Sequence, residues 1–197
     1  MTPCFSQSRR CDVPFPHAKI PSILKRETAD HALEWLRTEA PWALRIEDFY
    51  EQHEFSLLST PLGHKVAGLV SRATLDHVRA HVEELFALSR PLALVDVTAH
   101  RLTPGQVIRI HNDYIGDAET HRLLIQLNAG WSTDKGGLLM LFSRDAVDSV
   151  TNVLLPRHGS GFAFEISPRS FHAVSEIKEG ERFTLVYTFA QSAIACS

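Results

Sequence analysis

Between about residues 28 and 89 apolar side chains return every three or four positions, and after Pro91 they return in short runs rich in β-branched and aromatic residues. The first spacing predicts amphipathic helices, each with one face on a core. Thr28 is a suitable N-cap for "ADHALEWLRTEA", a segment that ends before Pro41. Leu75, Val78, Val82, Leu85 and Phe86 predict a second helix from about Arg72 to Ser89, stopped by Pro91. The segment from Trp42 to Leu58 fits a strand or a helix equally. Residues 1 to about 20, with Pro3, Pro14 and Pro16, carry little periodicity and read as an irregular leader.

After Pro91 about eight strand-like runs follow: "LALVDVTAHRL", "QVIRIHND", "RLLIQLN", "GLLMLF", "NVLLP", "GFAFEI", "FHAV" and "RFTLVYTFA". Turn segments such as "TPG", "TDKGG" and "RHGSG" separate them, and none holds a helix long enough for a crossover. The pattern predicts a mainly β chain with packed α-helices: an antiparallel barrel or jelly roll, with the N-terminal helices supporting its outside. Residues 21–197 then form a single domain whose barrel core spans about 91–190.

Composition narrows the setting. The 197 residues are 44% hydrophobic and 22% charged, as in a soluble globular protein. No apolar run approaches the roughly 20 residues of a membrane span, and the N-terminus lacks the apolar core of a secretion signal, so a cytoplasmic protein is expected. The net charge of -3 gives no reason to expect nucleic acid or an anionic membrane as partner. Three cysteines, Cys4, Cys11 and Cys196, are too few and too terminal for a disulfide framework and are expected as free thiols.

The chemistry concentrates in "QVIRIHND". In a strand, residues two apart share a face, so His111 and Asp113 would project together, with Arg109 beside them and Ile108 and Ile110 opposite. Chance alone supplies roughly one His-x-Asp/Glu in a chain with 11 His and 23 acidic residues. His81 and Glu83 have the same spacing, but in a helix their side chains diverge. A third metal ligand must come from a distant segment, and His172 in "SPRSFHAVSEI" is the best-placed candidate. Two histidines and a carboxylate on one face of a metal leave positions open, as non-haem Fe(II) oxygenases require. Ten positions past His172 stands Arg182, with Thr184 on the same strand face. An arginine fork beside a hydroxyl suits the terminal carboxylate of a dicarboxylic acid.

These motifs, in this order, resemble the iron(II)- and 2-oxoglutarate-dependent dioxygenases, in particular their prolyl 4-hydroxylase-like branch. "PGQVIRIHND" is similar to the family's His-x-Asp strand, and "HRLLIQLNAGW" with "KGGLLMLF" to the hairpin after it. "VLLPRHGSGFAFEI" and "SFHAVSEIKEGERFTLVYTFA" resemble the approach to the distal histidine and the Arg-x-Ser/Thr anchor; "FPHAKI" is similar to the entry strand of bacterial members. The resemblance implies a double-stranded β-helix, a cupin-like jelly roll, that uses Fe(II), 2-oxoglutarate and O2. It makes His111, Asp113 and His172 the metal ligands and gives the distal carboxylate of 2-oxoglutarate to Arg182 and Thr184. Many members carry a cosubstrate-binding tyrosine where Gln126 stands, and Gln126 is assigned its role. Because Asp113 is present, hydroxylation is the implied outcome, with release of succinate and CO2; desaturation and cyclisation remain open.

Arg109, Tyr114, Arg122 and Trp131 are candidate substrate contacts, with His121 near the same expected mouth, and Arg109 or Arg122 could pair with a substrate carboxylate. An amino acid, an amino-acid-derived small molecule or a prolyl or peptidyl segment would suit such a site. The nucleic-acid-repair branch carries a second arginine six positions past the anchor, where this chain has Thr188. A differently metallated cupin-like module, or a barrel that only binds, is the alternative.

Overall fold

The computed structural model describes residues 2–116 and 118–191; Cys196 lies outside them. In chain order come β1 (Arg9–Cys11), β2 (His17–Ile20), α1 (Arg26–Thr38), β3 (Ala43–Glu47), β4 (Tyr50–Ser56), α2 (His64–Ala67) and α3 (Arg72–Leu85). There follow β5 (Leu92–Leu102), β6 (Ile108–His111), β7 (His121–Gln126), β8 (Leu139–Phe142), β9 (Val150–Leu154), β10 (Gly161–Glu165), β11 (His172–Val174) and β12 (Arg182–Gln191). Every strand pairing is antiparallel, in the order β1-β2-β10-β7-β12-β5-β4 and then β6-β11-β8-β9, with β3 paired to β4. A single residue pair, Tyr50 with Ile108, joins the two halves. The sheet therefore curls into the expected jelly roll.

β12 explains how the barrel and the helices share one strand. Phe183, Leu185, Tyr187 and Phe189 pack outward into a core that includes Ala29, Leu33 and Leu36 of α1 and Val78 and Val82 of α3. Burying each large apolar side chain contributes roughly 2 kcal/mol, so these positions hold the helices on the sheet. The intervening Arg182, Thr184, Val186 and Thr188 face a cavity inside the barrel. Strand alternation thus separates structural from functional positions residue by residue.

Several local expectations are corrected. The leader is not irregular throughout, because β2 pairs with both β1 and β10 and buries His17, Ala18 and Ile20. Four residues between prolines are too few to display periodicity, and pairing to β10 supplies the order. Helix α1 starts at Arg26 with Lys25 as N-cap, not at Thr28. The backbone N–H groups of Ile23 and Leu24 both donate to Gly159 O, which pins the approach to the helix and lets it begin directly afterwards. Helix α3 ends at Leu85 instead of Ser89. Ala87 takes φ 51°, and the bonds Ala87 N to Glu84 O and Leu88 N to Glu83 O close a Schellman motif without glycine. The ambiguous stretch 42–58 contains the β3–β4 hairpin.

Candidate active site

The cavity occupies about 380 Å³ within the barrel, and its wall includes His111, Asp113 and His172. His111 and His172 are directly opposite each other in the β6–β11 pair, and one ligand atom from each of the three residues lies within 4.8 Å of the others. The two imidazoles are oriented by backbone. Nδ1 of His111 lies 2.8 Å from Arg109 O, and Nδ1 of His172 lies 2.7 Å from Ser170 O. A carbonyl only accepts, so each Nδ1 carries the proton and each Nε2 presents a lone pair. Those lone pairs point at Asp113, with His111 Nε2 3.3 Å from Oδ1 and His172 Nε2 3.2 Å from Oδ2. Three acceptors converge on one point, an arrangement a cation relieves.

Asp113 reaches this point by a route that strand periodicity does not describe. β6 ends at His111, and Asp113 lies beyond it with φ 59°, a left-handed conformation that aspartate tolerates better than most residues. Its side chain is only 6% exposed, and Arg122 Nη1 lies 2.8 Å from Oδ2. Burial opposes ionisation, but the Arg122 guanidinium beside it holds the carboxyl well below its ordinary range. Burial also lowers His172, which favours the neutral ring.

Arg182 forms a second acceptor-seeking feature. It is 3% exposed; Nη1 donates to Thr184 Oγ1 at 2.9 Å, while among the described residues no acid pairs with it and Nε and Nη2 have no hydrogen-bond partner. Burial without compensation lowers it to about 10. An isolated buried cation is costly unless an anion meets it. Gly137, at φ 66°, gives this side chain its room, since a Cβ there would lie 3.0 Å from Arg182 Cδ and 2.7 Å from Ile177 Cδ1.

Residues 97–189 match the family model of the 2OG-Fe(II) oxygenase superfamily. That matched segment spans nearly the whole barrel, so the barrel is similar to those of this superfamily. Solved structures similar to this chain include a prolyl 4-hydroxylase from Pseudomonas putida, at TM-score 0.70 and 18% identity, covering 90% of this chain and 93% of that one. A viral collagen prolyl hydroxylase from Paramecium bursaria Chlorella virus-1, in its 2OG complex, aligns at TM-score 0.64 and 16% identity over 89% of this chain and 96% of that one. A prolyl hydroxylase from Trichoplax adhaerens, in complex with a hypoxia inducible factor oxygen degradation domain peptide fragment, aligns at TM-score 0.67 and 14% identity over 89% and 83%. The family uses Fe(II), 2-oxoglutarate and O2, and the His111, Asp113 and His172 donor set and the partnerless Arg182 guanidinium edge of this chain fit such a metal and such a dianion.

Gln126 does not line the cavity; its Oε1 accepts from Thr184 Oγ1 at 3.0 Å, so it holds the hydroxyl that Arg182 contacts. Of the four candidate substrate residues, Arg122 alone faces the cavity, and it is engaged by Asp113 and by Glu119, 2.6 Å from Nη2. Arg109 is exposed and donates to Asp48 O. The cause is an irregularity in the β6–β11 register, where three steps from Ile108 to His111 face two from Val174 to His172. The extra residue puts Ile108 and His111 on the cavity side and turns Arg109 away. Tyr114 lies past the end of β6 and is 45% exposed. The Trp131 indole folds back on its own hairpin, donating to Gly136 O at 2.9 Å.

Other cavity residues escaped the sequence reading. Phe49, in the β3–β4 turn, stacks on His111 with ring centroids 4.4 Å apart. His100 on β5 lines the cavity, and burial drives it down to about 3, so the ring stays neutral. Gln52 Nε2 lies 3.3 Å from its Nδ1 and must donate, which leaves Nε2–H to donate to Thr98 Oγ1 at 3.0 Å. The available signal was the polar alternation Asp96, Thr98, His100 along one face of β5.

Proposed function

We propose that this chain is an Fe(II)- and 2-oxoglutarate-dependent hydroxylase in which His111, Asp113 and His172 hold the metal. Arg182 receives the distal carboxylate of 2-oxoglutarate through its free Nε and Nη2, while Thr184, fixed by Gln126, keeps the guanidinium in plane. The single observation that carries the reading is the convergence of two Nε2 lone pairs and the Asp113 carboxylate, whose ligand atoms lie within 4.8 Å of one another. Bound Fe(II) supplies O2 activation coupled to decarboxylation of 2-oxoglutarate to succinate and CO2. The chain's own residues orient the cosubstrate, exclude water at the Val186 and Leu124 wall, and admit substrate at the end where Arg122 and Glu119 stand.

The substrate class is an amino acid, an amino-acid-derived small molecule or a prolyl or peptidyl segment. The peptide held by the Trichoplax neighbour favours the peptidyl form. Exposed free thiols at Cys4 and Cys11 suit a reducing cytoplasm. Among the described residues, no helix is long and apolar enough to cross a membrane.

Protein purified anaerobically and given Fe(II), 2-oxoglutarate and O2 should release succinate slowly alone and faster with substrate. Mass spectrometry on amino acids, prolyl peptides and cell extract should find a +16 Da product that requires 2-oxoglutarate. Absence of both metal binding and succinate would leave the barrel as a binding module.

A further inference from the structure

The three candidate metal ligands are not held in the same way. His111 and His172 lie in paired strands, and each ring is fixed by a backbone carbonyl. Asp113 has no ladder beneath it. Its neighbour Asn112 is anchored, donating to Pro168 O and receiving Ser170 Oγ on its own carbonyl, but the Asp113 carboxylate itself depends on one side chain from the opposite wall. That side chain is Arg122 on β7. Its Nη1 lies 2.8 Å from Asp113 Oδ2, and its Nη2 lies 2.6 Å from Glu119 Oε2. Asp113 and Glu119 both belong to the connection from β6 to β7, so one guanidinium ties both ends of that connection to the barrel wall.

We propose that Arg122 is a positioning residue for Asp113, and that Glu119 clamps Arg122 for that task. The inference rests on reading His111, Asp113 and His172 as the metal site. A planar guanidinium with two donors in fixed directions can hold one carboxylate oxygen while a second acid fixes its own rotation. The ion pair to Oδ2 fixes the carboxylate with Oδ1 facing His111 and Oδ2 facing His172. Partners of this kind around a metal ligand typically alter metal affinity by about 10- to 100-fold when removed. The role differs from a substrate contact, because both donor edges in use are already committed within the chain.

Charge must be separated from geometry, since deleting an arginine beside a cation site also removes a repulsion. The double variant Arg122→Gln/Glu119→Gln removes one positive and one negative charge and so leaves the net charge of the site unchanged. Mn(II) binding is measured on this variant and on the parent protein without 2-oxoglutarate, together with the visible spectrum of the Co(II) form. Mn(II) affinity should fall about 10-fold or more, the Co(II) bands should shift, and Arg122→Lys should retain part of the affinity. Affinity within about twofold of the parent and an unchanged Co(II) spectrum would overturn the proposal, as would a defect confined to the KM of substrate. If the double variant does not fold, Glu119→Gln alone is read in the same two ways, by its Co(II) bands. Failure of the parent protein to bind Mn(II) at all would overturn the metal-site reading instead.

Discussion

His111 and His172, 61 positions apart in the chain, face each other as a directly paired couple across β6 and β11, with ring centroids 4.2 Å apart. The pairing sets where both imidazoles stand before any metal arrives, because each ring is held by a carbonyl two residues back in the chain.

Removing one of these donors should therefore separate metal binding from folding. His172→Ala and Asp113→Ala are expected to weaken Mn(II) or Fe(II) binding by about 100-fold or more and to abolish 2-oxoglutarate turnover. Neither residue belongs to the apolar clusters that stabilise the sheet. Far-ultraviolet circular dichroism should be unchanged, and calorimetric titration with Mn(II) reads the loss. Retained metal affinity in both variants would refute the assignment.

Arg182 carries opposite consequences for stability and for function. Arg182→Ala should raise the KM for 2-oxoglutarate by about 100-fold or more, the loss of a charge-assisted carboxylate contact, with metal still bound. Arg182→Met should show the same kinetic defect, yet its ligand-free form should resist urea better by on the order of 1 kcal/mol, since an uncompensated buried charge is replaced by an apolar chain. An unchanged 2-oxoglutarate requirement in both variants would show that the anchor lies elsewhere.

Two buried histidines make stability depend on mild acid. His100 is driven down to about 3 and His121 to about 4, both chiefly by burial. Unfolded histidine takes a proton near pH 6.5, so below that the unfolded chain binds more protons and stability falls as pH falls. Between about pH 6 and pH 4 each group contributes a slope of about 1.4 kcal/mol per pH unit. Urea unfolding of the ligand-free protein at pH 5 and pH 7 should register the loss, and His121→Phe should remove about half of the part these two groups supply.

Arg109 supplies a control. Its side chain is exposed and tied to the β3–β4 turn at Asp48 O. Arg109→Ala should leave kcat and the KM values for 2-oxoglutarate and substrate within about twofold, as for surface changes away from a site. A large rise in substrate KM would mean that Arg109 swings inward when substrate binds.

Much of this protein was determined by local pattern. The change from helical spacing to short β-rich runs at Pro91, the turn segments between them, and the order His111, Asp113, His172, Arg182 follow from side-chain chemistry and chain stiffness, which act over a few residues. Tertiary contacts decided the rest. Pairing to β10 made a strand of His17–Ile20, and an extra residue in β6 turned Arg109 outward and Ile108 inward. Folding of the β6–β7 connection joined Asp113 to Arg122, and closure of the barrel gave His100 a cavity to face. Alternation along a strand specifies which side chains share a face. Whether that face meets water, a core or an enclosed pocket depends on segments distant in sequence, whose approach no local pattern encodes.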